Sequence, residues 1–163
     1  MKQNIAIIMG GFSSEVNISL TSGSVVYTHL DRSKYNPYQV HILKDKWVLV
    51  TDDRQEYPID KNNFSATIDG KHIVFDCVFN AIHGTPGENG IILAYFDLIG
   101  MKHTSAPFYQ MALTFNKRDC LSVVRQYGIP TAIAVNLNKG DAINTKAIID
   151  KVGLPCFIKP NNA

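Results

Sequence analysis

Cysteine is scarce and scattered. Cys77, Cys120 and Cys156 stand alone, with no CxxC pair. That pattern argues against a zinc site and against a cysteine nucleophile. Each lies in an apolar run or an amphipathic helix, so each reads as a buried, reduced thiol of a cytoplasmic protein. Charge is sparse as well: 18% of residues are charged and the formal net charge is +2. So small and dispersed an excess does not make a nucleic-acid surface. No apolar run approaches the roughly 20 residues that span a bilayer. The start, Met1-Lys2-Gln3-Asn4, leads straight into Ile5-Ala6-Ile7-Ile8-Met9 and lacks the layout of a signal peptide. Internal repeats and low-complexity segments are absent. These gaps leave a cytoplasmic globular protein without nucleic-acid or membrane partners as the expectation.

What is present is core material. Hydrophobic residues make up 45% of 163 residues, enough for one domain and part of another. The most informative stretch begins with Ile73-Val74-Phe75-Asp76-Cys77-Val78-Phe79, short and rich in β-branched and aromatic residues, as a buried strand is. It runs into Asn80-Ala81-Ile82-His83-Gly84-Thr85-Pro86-Gly87-Glu88-Asn89-Gly90. Then Ile92, Tyr95, Phe96 and Ile99 recur at helical spacing, and Gly100 is placed as a stop. Strand, glycine-rich loop and helix follow in order. In open α/β sheets, ligands sit at the carboxyl ends of strands in such loops. His83 and Glu88 supply its polar chemistry, although a histidine beside glycine more often serves structure.

The same arrangement occurs at the start. Ile5 to Met9 is a continuous apolar strand, and Gly10-Gly11-Phe12-Ser13-Ser14-Glu15 follows. Ser13 or Ser14 can cap a helix with Ile18, Val25 and Leu30 on its inner side. A helix amino terminus offers free N–H groups and partial positive charge. GxGxxG spacing is missing, so this is not a dinucleotide fingerprint, and without GK[ST] it is not a Walker A loop. Glu15 in the first turn is equally readable as a partner of the helix dipole.

Between these loops, Tyr38 to Leu43 reads as a second parallel strand and Trp47 to Val50 as its antiparallel return. Residues 51 to 65 read as irregular. Asp69-Gly70 marks a hairpin between Ser65–Ile68 and the strand beginning at His72. The pattern predicts a small, mostly parallel sheet with helices on its faces, and the loops after the first and third parallel strands at one edge. Beyond Gly100, Lys102 to Ser105 reads as an edge strand, Gln110 to Lys117 and Arg118 to Tyr127 as helices, and Thr131 to Leu137 as a strand. Thr145 to Val152 reads as a helix and Cys156 to Lys159 as a strand. A compact domain rarely stops just after a strand, so the chain is expected to break off inside its second domain.

Four motifs now converge. Gly10-Gly11-Phe12-Ser13-Ser14-Glu15 with Ile18-Ser19-Leu20 and Ser22-Gly23 resembles the amino-terminal motif of D-alanine–D-alanine ligases. His83-Gly84 with Gly87-Glu88-Asn89-Gly90 resembles their HGxxGEdG motif. Ala112 to Lys117 resembles the helix that delivers an ATP-binding lysine, and Leu154-Pro155 to Ile158-Lys159-Pro160 the strand that delivers a second. The four occur in the family's order and cover essentially the whole chain. Ile91-Ile92-Leu93-Ala94 and Met101-Lys102-His103 depart from the family's usual residues. Family members are also roughly twice this length. The loop that covers phosphates and the residues that hold magnesium are expected in the other half.

The resemblance implies a fold: a Rossmann-like, pre-ATP-grasp three-layer α/β domain over residues 1–105, then the start of an α+β ATP-grasp domain over 106–163. It also implies ATP- and Mg2+-dependent joining of two D-alanines through an acyl phosphate for the bacterial cell wall, and it allows a homodimer. Glu15 and His83 would be catalytic, with Ser19 and Glu88 joining them around the substrate. Lys117 and Lys159 would bind ATP. Glu15 suits an ammonium group through charge-assisted hydrogen bonds, and the lysines suit phosphates as point charges. By the same resemblance, 163 residues alone are expected to be inactive. Another ATP-grasp carboxylate–amine ligase and a non-catalytic α/β binding module are the alternatives.

Overall fold

The computed structural model describes residues 2–162. The chain divides into two compact units, one reaching Ala112 and the other Leu113–Asn162.

The first unit is built on β1 (Gln3–Gly10), whose alternate side chains serve two cores. Ile5, Ile7 and Met9 face α1 (Val16–His29), where Leu20, Val26, Tyr27 and Leu30 cover them. Ala6 and Ile8 face the opposite way. β2 (Tyr35–Ile42) lies parallel to β1 on one side, pairing Ile8 with Val40 and Met9 with His41. β3 (Trp47–Val50) and β4 (Glu56–Asp60) continue antiparallel, followed by the hairpin of β5 (Ser65–Ile68) and β6 (Lys71–Val74). β7 (Cys77–Asn80) lies parallel to β1 on its other side, pairing Ile8 with Asn80. The strand order is β6-β5-β4-β3-β2-β1-β7.

β6 and β7 stand at opposite ends of that order, yet only Phe75 and Asp76 separate them. The sheet therefore curls until its ends meet. Asn4 closes the seam: its N–H donates to the Asp76 carboxylate (2.7 Å) and its side chain to the Val74 carbonyl (2.9 Å). The apolar run expected as one strand over 73–79 is thus two strands broken at Asp76. The curled face encloses Phe64, which no solvent reaches, against Phe96 (4.8 Å between centroids), Phe75 (5.7 Å) and Trp47 (6.4 Å). α2 (Ile91–Leu98) adds Ile92, Leu93 and Phe96 to this core. It ends as predicted at Gly100, where φ is +71° and the N–H of Met101 donates to Phe96.

Several expectations change. β4 lies within residues 51 to 65, which the sequence presents as irregular. Ile18 and Val25 are on the outer side of α1, about half exposed, and its fully enclosed positions are Ser19 and Gly23. The cause is close approach: a Cβ on Gly23 would stand 2.7 Å from Met9. Lys102 to Ser105 makes a single bridge, His103 with Val78, rather than a strand. None of the three cysteines is buried, and Cys156 is exposed.

α3 (Phe108–Phe115) runs from the first unit into the second. The second unit contains α4 (Lys117–Gln126) and α5 (Thr145–Val152), each capped by an asparagine. Asn116 accepts from the Asp119 N–H (3.1 Å) and Asn144 from that of Ala147 (3.0 Å). The strands expected over 131–137 and 156–159 are not formed. No described residue of this unit is buried.

Candidate functional site

Because β1 and β7 are adjacent and parallel, the loops that follow them leave from the same edge of the sheet. Glycine lets those loops touch. Gly11 has φ +99°, and a Cβ there would lie 2.8 Å from Ile82 and 2.9 Å from the Thr85 carbonyl. The next residue, Phe12, donates its N–H to that carbonyl at 2.7 Å. Gly84, at φ +73°, leaves no room for a Cβ beside the Ser13 hydroxyl, 2.9 Å away.

Serine hydroxyls lock the contact. Ser19 is fully buried; its Oγ accepts from the Gly10 N–H and donates to the Ala81 carbonyl, both at 2.8 Å. One hydroxyl thereby ties the end of β1 to the residue after β7. Ser13 Oγ accepts from the Glu15 N–H (3.2 Å) and donates to the His83 carbonyl (3.0 Å). It does not serve as a helix cap; Glu15 itself occupies the position before α1, without a side-chain cap bond. Ser22, one turn beyond Ser19, sets its Oγ 3.1 Å from His83 Nε2.

Glu15, Ser19, His83 and Glu88 are thus brought to one loop pair, but they do different things. Glu15 is exposed at the start of α1, and its Oε2 would stand 3.8 Å from a Cβ placed on Gly84. Its carboxylate makes no hydrogen bond or ion pair among the described residues. His83 is half-buried, and Nδ1 is the ring nitrogen without a partner there. Glu88 braces its own loop. Its carboxylate accepts from the Gly84 N–H (3.0 Å), and its N–H returns to the Gly84 carbonyl (2.7 Å). Ser19 is enclosed, with both of its bonds made to backbone. Sequence reasoning missed Ser13 and Ser22 as members of this constellation. The available signal was their hydroxyls, Ser22 standing three positions after Ser19 and so on the same helix face.

Lys117 and Lys159 belong to the second unit. Lys117 opens α4 and is half-buried, with Nζ 3.5 Å from the Asn161 carbonyl. Lys159 is exposed, its Nζ 5.4 Å from the centre of the Phe157 ring. Two ammonium groups suit phosphate. Among the described residues no three His, Cys, Asp or Glu side chains group to hold a metal ion. Burial pushes the Cys77 thiol up from its ordinary value, which keeps it protonated and poorly nucleophilic. No helix among the described residues is long and apolar enough to cross a membrane.

Comparison with known proteins identifies the family. Residues 4–106 match the family model of the D-ala D-ala ligase N-terminus. A D-alanine–D-alanine ligase of Flavobacterium johnsoniae is 63% identical over 161 residues, covering 99% of this chain and 50% of the relative. The D-alanine–D-alanine ligase structure from Coxiella burnetii superposes with a TM-score of 0.80 at 25% identity, covering 93% of this chain and 50% of that one. The Bacillus anthracis ligase complexed with ATP matches with a TM-score of 0.68 at 24% identity, covering 98% of this chain and 48% of that one. The chain spans about half the length of the curated relatives it matches.

Proposed function

The chain belongs to the D-alanine–D-alanine ligase family, and from that premise we propose that it forms the amino-acid-binding half of an enzyme that joins two D-alanines at the expense of ATP. The observation that carries the reading is the Ser13 hydroxyl. It bonds at once to the Glu15 N–H and the His83 carbonyl, so two polar side chains from separate loops share one sheet edge. Glu15, whose carboxylate is unpaired among the described residues, takes the ammonium of the first D-alanine through charge-assisted hydrogen bonds. The Nδ1 side of His83 faces the ligand, and Ser19 and Glu88 hold the loops that carry both groups. Lys117 and Lys159 neutralise nucleotide phosphates.

Orientation is the main catalytic contribution of these residues. With its ammonium fixed, the first D-alanine presents its carboxylate to the γ-phosphate of ATP. The carboxylate oxygen bonds to phosphorus and ADP leaves, giving an acyl phosphate. The amine of the second D-alanine then attacks the carbonyl, loses a proton and expels phosphate. Residues 1–105 act as the pre-ATP-grasp domain, and 106–163 supply the first part of the ATP-grasp domain. By the family resemblance, the residues that would hold magnesium, and so help neutralise the phosphates, lie in the other half of the enzyme. A cytoplasmic location and a homodimer accord with this reading.

The test is a fusion in which this chain replaces the matching half of the Flavobacterium johnsoniae ligase. With ATP, magnesium and D-alanine, it should release phosphate at roughly 1 per second or more. The 163-residue chain alone should release none above background. A folded fusion that binds ATP but shows no D-alanine-dependent turnover would sink the assignment. Turnover by the chain alone would overturn its reading as one half of the site.

A further inference from the structure

Helix α1 carries aliphatic hydroxyls at Ser19, Thr21, Ser22, Ser24 and Thr28. Three of them turn back on their own helix: Thr21 donates to Asn17, Ser24 to Leu20 and Thr28 to Ser24, each four residues earlier. That is the ordinary fate of a helical hydroxyl. Ser19 and Ser22 break the habit. Ser19 reaches the Ala81 carbonyl and Ser22 reaches the His83 ring. The stagger of one turn matches the stagger of two residues along the loop after β7. A helix face is keyed to a loop by two hydroxyls, and the second of them touches a ring instead of backbone.

From this contact we infer that Ser22 is a positioning residue which fixes the orientation and tautomer of His83, and so decides which ring nitrogen meets the substrate. The inference rests on the ligase reading above. Ser22 Oγ and His83 Nε2, 3.1 Å apart, are each other's partners. If Nε2 carried the proton, the serine hydroxyl would accept it, and its own proton would have no protein acceptor among the described residues. If Ser22 donates, Nε2 accepts, and the ring proton sits on Nδ1. Nδ1 is the ring nitrogen without a partner among the described residues, and the backbone carbonyl of the same residue accepts from Ser13 Oγ. An N–H donor there suits a carboxylate, either that of the amino-acid substrate or that of Glu15. Ser22 touches neither substrate nor reacting atoms; it acts only through the imidazole.

Two measurements separate the inference from the function. On the 163-residue chain, nitrogen-15 NMR of the histidine side chains at neutral pH should place the His83 proton on Nδ1. In Ser22→Ala and Ser22→Val that preference should be lost, and Ser22→Thr should restore it. In the fusion enzyme, Ser22→Ala should lower kcat/KM for D-alanine by about fivefold to tenfold, the worth of one hydrogen bond. KM for ATP should stay unchanged, and Ser22→Thr should recover activity where the equally shaped Ser22→Val does not. An Nε2–H tautomer in the unmodified chain, or Ser22→Val as active as Ser22→Thr, would overturn the inference. Failure of the unsubstituted fusion to turn over D-alanine would count against the ligase reading and leave the tautomer result standing.

Discussion

The unit that reaches Ala112 and the unit Leu113–Asn162 are made from similar residues and hold them differently. In the first, Ile7, Ile8, Met9, Phe64, Leu93 and Phe96 are wholly removed from solvent. In the second, Ile133, Ile143, Leu154, Phe157 and Ile158 are each more than 60% exposed. Yet both units form helices. The second builds α4 and α5 from local means: an asparagine cap on each, and Lys151 or Arg125 in the last turn to meet the dipole. Side-chain polar contacts tie its distant segments, among them Arg118 with Asn138 at 3.0 Å and the Arg118 N–H with Asn161 at 2.9 Å. What it lacks are strands. A helix closes its hydrogen bonds within itself, whereas a strand needs a neighbour to pair with. Apolar segments such as Thr131 to Leu137 have strand composition but no partner among the described residues.

The largest expected effect comes from one residue type compared across the two units. Phe64 is fully buried amid four aromatic rings, and Phe157 is 91% exposed. Phe64→Ala should cost about 3–5 kcal/mol through lost transfer energy and the cavity left behind. Phe157→Ala should stay within about 0.5 kcal/mol. Urea unfolding followed by fluorescence of Trp47, which lies against Phe64, reads the first unit, and far-ultraviolet circular dichroism, to which α4 and α5 contribute, reads the second as well. A large loss from Phe157→Ala would show that the second unit's apolar groups are covered in solution and would erase the contrast.

A smaller effect tests how the first unit holds its loops. Ser19→Ala removes a buried hydroxyl and strands the Gly10 N–H and the Ala81 carbonyl without it. The cost should be about 2–3 kcal/mol, since unpaired buried groups lose solvation as well as a bond. Ser24→Ala on the exposed side of the same helix should change stability by less than about 0.5 kcal/mol. Equal effects would mean that the loops do not depend on Ser19.

The two serines show what was legible and what was not. β1 was plain from five consecutive apolar residues, and α2 from its spacing and Gly100. The glycine-rich loops after β1 and β7 pointed to Glu15 and His83, because glycine in such numbers signals close backbone approach. On the inner face of α1, available space outweighs hydrophobicity. Helix and strand approach too closely at Met9 for anything larger than Gly23, so Ile18 and Val25 turn outward. β4 was hidden by Glu56, Pro58 and Asp60, whose side chains sit on an exposed face. Asp76 split a seemingly continuous strand because its partner, Asn4, lies 72 positions away. The site hydroxyls share that difficulty: Ser13 and Ser22 fall inside the amino-terminal motif, but the individual role of each comes from its contact with His83 on the other loop.

The smallest expected effect is a pH dependence confined to the first unit. His41 lies on β2 beside Met9 of β1 and opposite Val48 of β3, half-buried. Burial lowers its pKa below the usual histidine value; Glu56 opposes the shift and Lys46 adds to it. Those two side chains are bonded to each other at 2.6–2.7 Å, which limits what Glu56 offers the imidazole. The folded state therefore prefers neutral His41, and the unfolded chain binds the proton more readily. Below about pH 6.5, the unfolded value, stability should decline with falling pH until the lowered folded pKa is passed. Above that window the full contribution is present. Asp31 and Asp53 also titrate with shifts, both downward, but their losses fall below about pH 4 and do not overlap. Urea midpoints read from Trp47 between pH 5 and 7.5 should slope in the unsubstituted chain and flatten in His41→Gln. An unchanged slope in His41→Gln would assign the dependence to another group and remove this distinction between the units.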